Sequence, residues 1–154
     1  MLFRSGEKMA PETTKDLLEY LRDYHRKLSG LYERMAEESE QSKIKMLLHF
    51  LGRHEARFDK ILGDYEDDAE TKVLQTWFRV TPDKLPKLNG SELTPDMPVD
   101  DIMTAALHFD DTLIAFCRQL TTETESQDVK DLFVNILDLE EQEERKMAGA
   151  VQEF

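Results

Sequence analysis

Apolar residues recur along the chain with the spacing of α-helices, and a charge interrupts this pattern at the same point twice. In residues 47–62 the apolar positions recur every three or four residues, and Glu55 occupies one position of that stripe. Adding 85 to these numbers gives a second stripe in residues 132–147, which carries Glu140 and, three residues later, Glu143. Both predicted helices therefore place a carboxylate on the face that should be buried.

Another pair of amphipathic stretches shows the same offset of 85 residues. Apolar positions recur in steps of three and four over residues 17–35 and again over residues 102–120. Polar clusters at 37–42 and 122–127 have no apolar stripe and predict short turns after these stretches. The sequence therefore contains one predicted helical hairpin twice.

Short signals indicate where the helices of the first hairpin begin and end. Thr13 followed by Asp16 resembles a capping box, so the first helix is predicted to begin near Thr14. The second helix is predicted to end or bend near Gly63. Residues 67–80 show a further helical pattern, which fits either a continuation of the second helix or a separate crossover helix.

A proline-rich stretch separates the two hairpins. Residues 81–98 contain four prolines and the only Asn-Gly pair, a composition that favours an irregular connection. Two hairpins with short turns and one long link predict an all-α, four-helix up-down bundle with a crossover. We expect one domain over residues 1–154, made of a leader (1–13), a first hairpin (14–63), a crossover segment (64–98) and a second hairpin (99–154).

Composition and charge narrow the classes of function. The 154 residues are one domain's length, 40% of them are hydrophobic, and the formal net charge is −13. This charge argues against a nucleic acid or a membrane surface as partner and favours cations or a basic protein. Cys117 is the only cysteine, which excludes an internal disulfide and a Cys-x-x-Cys metal site. Because no apolar run has the length of a signal peptide or a membrane span, we expect a cytoplasmic protein.

The charges on the buried stripes require partners. A carboxylate in a protein core is costly unless it is paired or binds a cation. His25 and Asp110 lie on the corresponding face of the first and third helices, again 85 residues apart. Four helices therefore bring ligand-type residues to one level, and oxygen ligands with one imidazole suit iron, manganese or zinc.

At these residues the sequence resembles the ferritin-like superfamily, and its rubrerythrin-like diiron carboxylate domains in particular. That family has a glutamate on each of two helices, a tyrosine seven residues later, and Glu-x-x-His on the other two helices. The resemblance covers about residues 14–62 and 99–147 and rests on the two stripes that contain Glu55 and Glu140. It implies a ferritin-like fold and a carboxylate metal site in the bundle core.

Position by position, the ligand set departs from the family pattern. His25 and Asp110 stand where the family has its single-helix glutamates, and Phe58 and Glu143 stand where it has histidines. Phe58 cannot bind a metal. The resemblance therefore implies a mononuclear or incomplete dinuclear site for iron, manganese or zinc, with these metal ligands: His25, Glu55, Asp110, Glu140 and Glu143.

Two functions of different classes fit these residues, and whether the chain is an enzyme stays open. The first is a ferritin-like carboxylate metal-binding protein that handles iron or carries out oxidase-type chemistry. The second is a bundle without metal that serves as a non-catalytic interaction or dimerisation module, in which a buried His–Glu–Asp hydrogen-bond network satisfies the same residues. Phe58 favours the second function, while the ligand-type residues on all four helices favour the first. A homodimer is expected because ferritin-like relatives commonly pair.

Overall fold

The computed structural model describes residues 13–78 and 85–153, and four long helices make up most of this part of the chain. Helix α1 spans Thr14–Glu38, α2 spans Ser42–Asp68, α4 spans Val99–Glu123 and α5 spans Gln127–Val151. The short helix α3, Thr71–Leu74, follows α2, and a single 3-10 turn, Gly90–Glu92, precedes α4. The described residues form no strand beyond one isolated bridge pair, and the predicted all-α bundle is confirmed.

The two hairpins correspond in three of their four helix bounds. Adding 85 to the bounds of α1 gives the bounds of α4, and adding 85 to the first residue of α2 gives the first residue of α5. The turns, residues 39–41 and 124–126, are also 85 residues apart. The predicted repeat is therefore confirmed for the helix bounds, because both halves carry the same stripes and turn signals.

The start of α1 is fixed by the predicted capping box. The Thr13 hydroxyl oxygen accepts a hydrogen bond from the Asp16 N–H, and the Asp16 carboxylate accepts one from the Thr13 N–H, each at 3.1 Å. These bonds satisfy amide groups that the first turn of a helix leaves unpaired. Residues 1–12, which make up nearly all of the predicted leader, lie outside the described residues.

Helix α2 extends beyond its predicted end. Gly63 lies inside the helix, which continues to Asp68, so the first hairpin is longer than the sequence predicts. A Cβ atom at Gly63 would lie 3.0 Å from the guanidinium carbon of Arg22, so the glycine leaves room for the end of that side chain. After two residues the chain forms α3, which is a separate helix and not a continuation of α2.

The connection between the hairpins runs the length of the bundle. Near its start, the Thr76 carbonyl accepts a hydrogen bond from the Thr14 N–H at 2.9 Å, beside the first turn of α1. Near its end, Asp96 Oδ1 accepts hydrogen bonds from Ser39 Oγ and from two backbone N–H groups of the turn after α1, at 2.8 to 3.3 Å. A helix of 25 residues is about 37 Å long, so the connection passes from one end of the first hairpin to the other. The predicted crossover is confirmed, although residues 79–84 lie outside the described residues.

The core lies between the four long helices and consists of the predicted stripe residues. Leu21, Leu28, Leu51, Leu113 and Ile136 are fully buried, and each such side chain contributes about 2 kcal/mol of transfer free energy. Within residues 13–78 and 85–153, no helix combines the length and the apolar character that crossing a bilayer requires.

Candidate functional site

His25 lies in the core and joins the two hairpins. Its Nδ1 is 2.9 Å from Glu55 Oε2, and its Nε2 is 3.0 Å from Glu140 Oε1. Glu55 belongs to the same hairpin as His25, while Glu140 belongs to the other. All three side chains are at most 4% exposed, because each occupies a stripe position of its helix. The structure thus brings these three predicted site residues into direct contact.

The hydrogen bonds indicate the charge of the His25 ring. An ionised carboxylate only accepts hydrogen bonds, so two ionised partners require both ring nitrogens to donate, which happens only in the imidazolium form. Burial lowers the pKa of His25, but the charges of Glu140 and Glu55 and the hydrogen bonds to them raise the pKa well above its ordinary value of 6.5. His25 is therefore held as a cation between two anions.

Asp110 on α4 is the fourth predicted ligand and is also buried. Burial and then the charges of Glu55 and Glu140 raise the pKa of Asp110 well above its ordinary value, while the charge of His25 opposes this rise. The charges of Glu55, Glu140 and His25 all act on the Asp110 carboxyl group. Asp110 therefore stays protonated more readily than an ordinary aspartate.

Glu143, the fifth predicted ligand, is buried but faces other partners. Its Oε2 is 2.5 Å from Arg57 Nη2 and 3.9 Å from His54 Nδ1, and its Oε1 is 3.5 Å from Lys146 Nζ. Glu143 therefore forms an ion pair between α2 and α5, and its hydrogen-bonded partners differ from those of Glu55 and Glu140. The sequence carries no signal for this pairing, because the Arg57 side chain is largely exposed and off the apolar stripe.

Phe58 covers one face of the His25 ring. The two ring centroids are 4.6 Å apart, with an angle of 29° between the ring planes. An aromatic face attracts a cation, by about 2 kcal/mol or more when the pair is removed from water. Phe58 therefore suits a charged His25 ring, and it offers no ligand atom at the position where the family resemblance implies a histidine.

Tyr32 and Cys117, which follow His25 and Asp110 by seven residues, are core residues. Burial and then nearby carboxylates raise the pKa of Tyr32 and of Cys117 well above their ordinary values, so both groups stay protonated. Tyr32 also makes an edge contact with Phe109, with ring centroids 6.4 Å apart. Cys117 is fully buried.

Glu144 is an unusual carboxylate that the sequence pattern misses, because it lies off the shared face. Burial, then a hydrogen bond and the charge from Asp111, raise the pKa of Glu144 to about 7. Its Oε2 is buried and has no hydrogen-bond partner in the part of the chain that the structure describes. Asp111 and Glu144 border a surface groove of about 340 Å³ between α4 and α5. The groove is lined by Asp111, Ile114, Arg118, Glu141, Glu144 and Arg145.

The donor groups around His25 do not fit a metal ion in this arrangement. Both ring nitrogens already face carboxylate oxygens at hydrogen-bond distance, and the ring lies between Glu55 and Glu140, where a bridging ion would be. Phe58 closes a further side. Among the residues with described positions, no group of three or more histidine, cysteine, aspartate or glutamate side chains is placed to hold a metal ion.

Comparison with known proteins supports the fold. A crystal structure from Thermotoga maritima, of a protein described as a candidate ferritin-like diiron-carboxylate protein, is similar with a TM-score of 0.59 and 16% sequence identity, covering 95% of this chain and 99% of that chain. No protein-family model matches the sequence, and no curated protein matches it. The similarity concerns the fold, and the chain has the ferritin-like fold that the sequence resemblance predicts.

Proposed function

We propose that this chain is a ferritin-like bundle without a core metal, and that it serves as a non-catalytic interaction or dimerisation module. The observation that carries the proposal is that His25 uses both ring nitrogens to bind Glu55 and Glu140. Two glutamates that would otherwise bridge a metal thereby share a hydrogen-bonded cation supplied by the protein. Burying such charges is tolerated because every one of them has a hydrogen-bonded partner of opposite sign.

The surface favours a protein partner over a nucleic acid. The net charge of −13 repels phosphate backbones and attracts basic surfaces. Two large apolar side chains, Met46 and Trp77, are 61% and 69% exposed, and tryptophan is frequent among the residues that dominate binding at protein interfaces. A basic protein with an exposed apolar patch would meet both features, whereas a second copy of this chain, which carries the same net charge, would meet only the apolar one.

Metal analysis of the purified protein tests the proposal. The protein would be produced in medium supplied with iron, manganese and zinc, its metal content measured, and its thermal unfolding followed with iron(II) under anaerobic conditions, with manganese(II), with zinc(II) and with a chelator. We expect well below one ion per chain and no change in Tm, because no free donor set is available. One firmly bound ion per chain, with a Tm that falls on chelation, would overturn the proposal.

A matched variant shows whether any bound metal resides in the core. Glu33 pairs with the half-exposed His49, with 2.6 Å between Glu33 Oε2 and His49 Nδ1. If Glu33→Gln loses the metal and Glu55→Gln retains it, the metal is bound at the surface, and the proposal is not contradicted. Metal lost only on Glu55→Gln is bound in the core.

A second candidate function is the metal-binding one, with iron handling or oxidase-type chemistry. Two observations favour it: His25 contacts Glu55 and Glu140 in the core, where Asp110 of a fourth helix is also buried, and the similar Thermotoga maritima protein is described as a candidate diiron-carboxylate protein. Iron, manganese or zinc would have to displace the His25 ring from between the glutamates. The metal analysis decides between the two functions, while the homodimer and the cytoplasmic location stay predictions.

A further inference from the structure

The His25 ring fills a position that connects carboxylates from both hairpins. One nitrogen faces Glu55 of the first hairpin at 2.9 Å, and the other faces Glu140 of the second hairpin at 3.0 Å. The ring is 1% exposed, and Phe58 stacks on it at 4.6 Å. Among the basic side chains in the described part of the core, His25 is the one that contacts carboxylates of both hairpins.

Removing this ring would leave acidic groups facing one another in a closed space. Glu55, Glu140 and Asp110 interact electrostatically there, and the charges of the two glutamates already oppose ionisation of Asp110. The side chains of His25, Glu55 and Glu140 are at most 4% exposed, so the carboxylates would relieve their repulsion by taking up protons or by binding a cation from outside. A cavity of the shape of an imidazole, lined by carboxylates, favours a small flat cation that donates from two sides.

We propose that His25 is a built-in cation that holds the two hairpins together through Glu55 and Glu140, and that free imidazole binds in its place once the side chain is removed. This inference rests on the proposed function, because it requires that no metal already occupies the position. It explains why the ferritin-like fold can be stable here without its metal: the link between the halves is supplied by a side chain.

Chemical rescue of His25→Gly tests the inference. Thermal unfolding would be followed near pH 6, where free imidazole is largely protonated, with imidazole or with pyrazole, a ring of the same size that remains neutral. We expect the Tm of His25→Gly to rise with the logarithm of the imidazole concentration, as for any ligand that binds only the folded state, and to respond little to pyrazole. An equal rise with both rings would show that filling the cavity suffices, and would overturn the inference. No rise with imidazole would overturn it as well.

Two control variants make the rescue specific. His49→Gly makes the same substitution inside a long helix, at a histidine that pairs with Glu33 near the surface, and its Tm should not respond to imidazole. The double change His25→Gly with Glu140→Gln removes the negative charge that the second hairpin contributes and should lose most of the imidazole effect. Retention of the full effect in this double variant would contradict a link between the hairpins.

A second pair of variants covers the case in which His25→Gly does not fold. Lysine and methionine are unbranched and similar in length, so His25→Lys and His25→Met differ mainly in the positive charge. We expect His25→Lys to unfold at the higher temperature, and a higher Tm for His25→Met would overturn the inference. These results are independent of the metal analysis: firmly bound metal in the wild type would defeat the proposed function, whereas failed rescue in a metal-free protein would defeat only this inference.

Discussion

Replacing His25 alone by leucine should destabilise the bundle more than replacing His25, Glu55 and Glu140 by leucine together. The single change removes the cation and leaves two buried carboxylates, whose oxygens had lain 2.9 and 3.0 Å from the ring nitrogens, without a partner. The triple change removes the cation and both anions, and it extends the apolar stripes of three helices. The two variants therefore separate the cost of unpaired charge from the loss of the cluster as a whole.

The destabilisation expected for His25→Leu can be calculated from the free energy of protonating one glutamate, because protonation removes the unpaired charge at the lowest cost. An ordinary glutamate has a pKa near 4.3, so protonating one costs about 4 kcal/mol at pH 7 and about 1 kcal/mol at pH 5. The range measured for breaking buried ion pairs is similar, about 3–5 kcal/mol. Replacing a whole buried ionic cluster by apolar side chains is instead often neutral, or stabilising by about 1–4 kcal/mol.

Urea unfolding followed by circular dichroism at pH 5 and pH 7 measures both effects. The deficit of His25→Leu should be about 4 kcal/mol at pH 7, which corresponds to about 10 °C in Tm for a chain of this size, and should shrink at pH 5. His49→Leu is the control, because its glutamate partner is near the surface and the change should stay within about 1 kcal/mol. If the triple variant were less stable than His25→Leu, or if the deficit of His25→Leu did not depend on pH, the reasoning from unpaired charge would be refuted.

Three further predictions concern pH and capping. The pKa of His25 is higher in the folded than in the unfolded protein, so its contribution to stability is complete below about pH 6.5 and is lost as the pH rises towards the folded-state pKa; a wild type whose free energy of unfolding rises with pH above 6.5, relative to the triple leucine variant, would contradict this. The pKa of Glu144 is raised to about 7, so the folded state loses stability as the pH rises from 4.5 to 7. Glu144→Gln should therefore be more stable than the wild type by up to about 1 kcal/mol at pH 8, allowing for solvent screening. The control is Gln142→Glu at a largely exposed position, which should show no such pH-dependent gain. Thr13→Ala removes the side chain that accepts from the Asp16 N–H and should cost about 1 kcal/mol in urea unfolding, whereas Thr13→Ser should cost almost nothing.

The sequence predicts the helices and the level of the polar cluster because both depend on periodicity. The 3.6-residue period places His25, Glu55 and Glu140 on the buried faces of their helices, and the offset of 85 places them at corresponding points. The capping box at Thr13 is a local signal and is likewise readable from the sequence. These features require no knowledge of how one helix lies against another.

The remaining features depend on contacts between helices, which periodicity does not specify. A glycine is typical of a helix end, but Gly63 lies inside α2, where the absence of a Cβ atom leaves room for the Arg22 guanidinium. The family resemblance places Glu143 at a ligand position, but the Arg57 side chain of α2 forms an ion pair with it. The orientation of the His25 ring, and hence the choice between a metal ligand and a bridging cation, follows from side-chain positions that a stripe pattern leaves undetermined.

The shared bounds of the two hairpins raise the question of which hairpin assembles with which. Two first hairpins from different molecules would bring together two copies of His25 and Glu55, and two second hairpins would bring together Asp110 and Glu140 from each copy with no basic residue among them. A first hairpin with a second hairpin places one imidazolium between two glutamates, whereas two second hairpins would bury four carboxyl groups without a cation. The polar cluster therefore discriminates against assemblies of two second hairpins, both during folding and in exchange of hairpins between two chains.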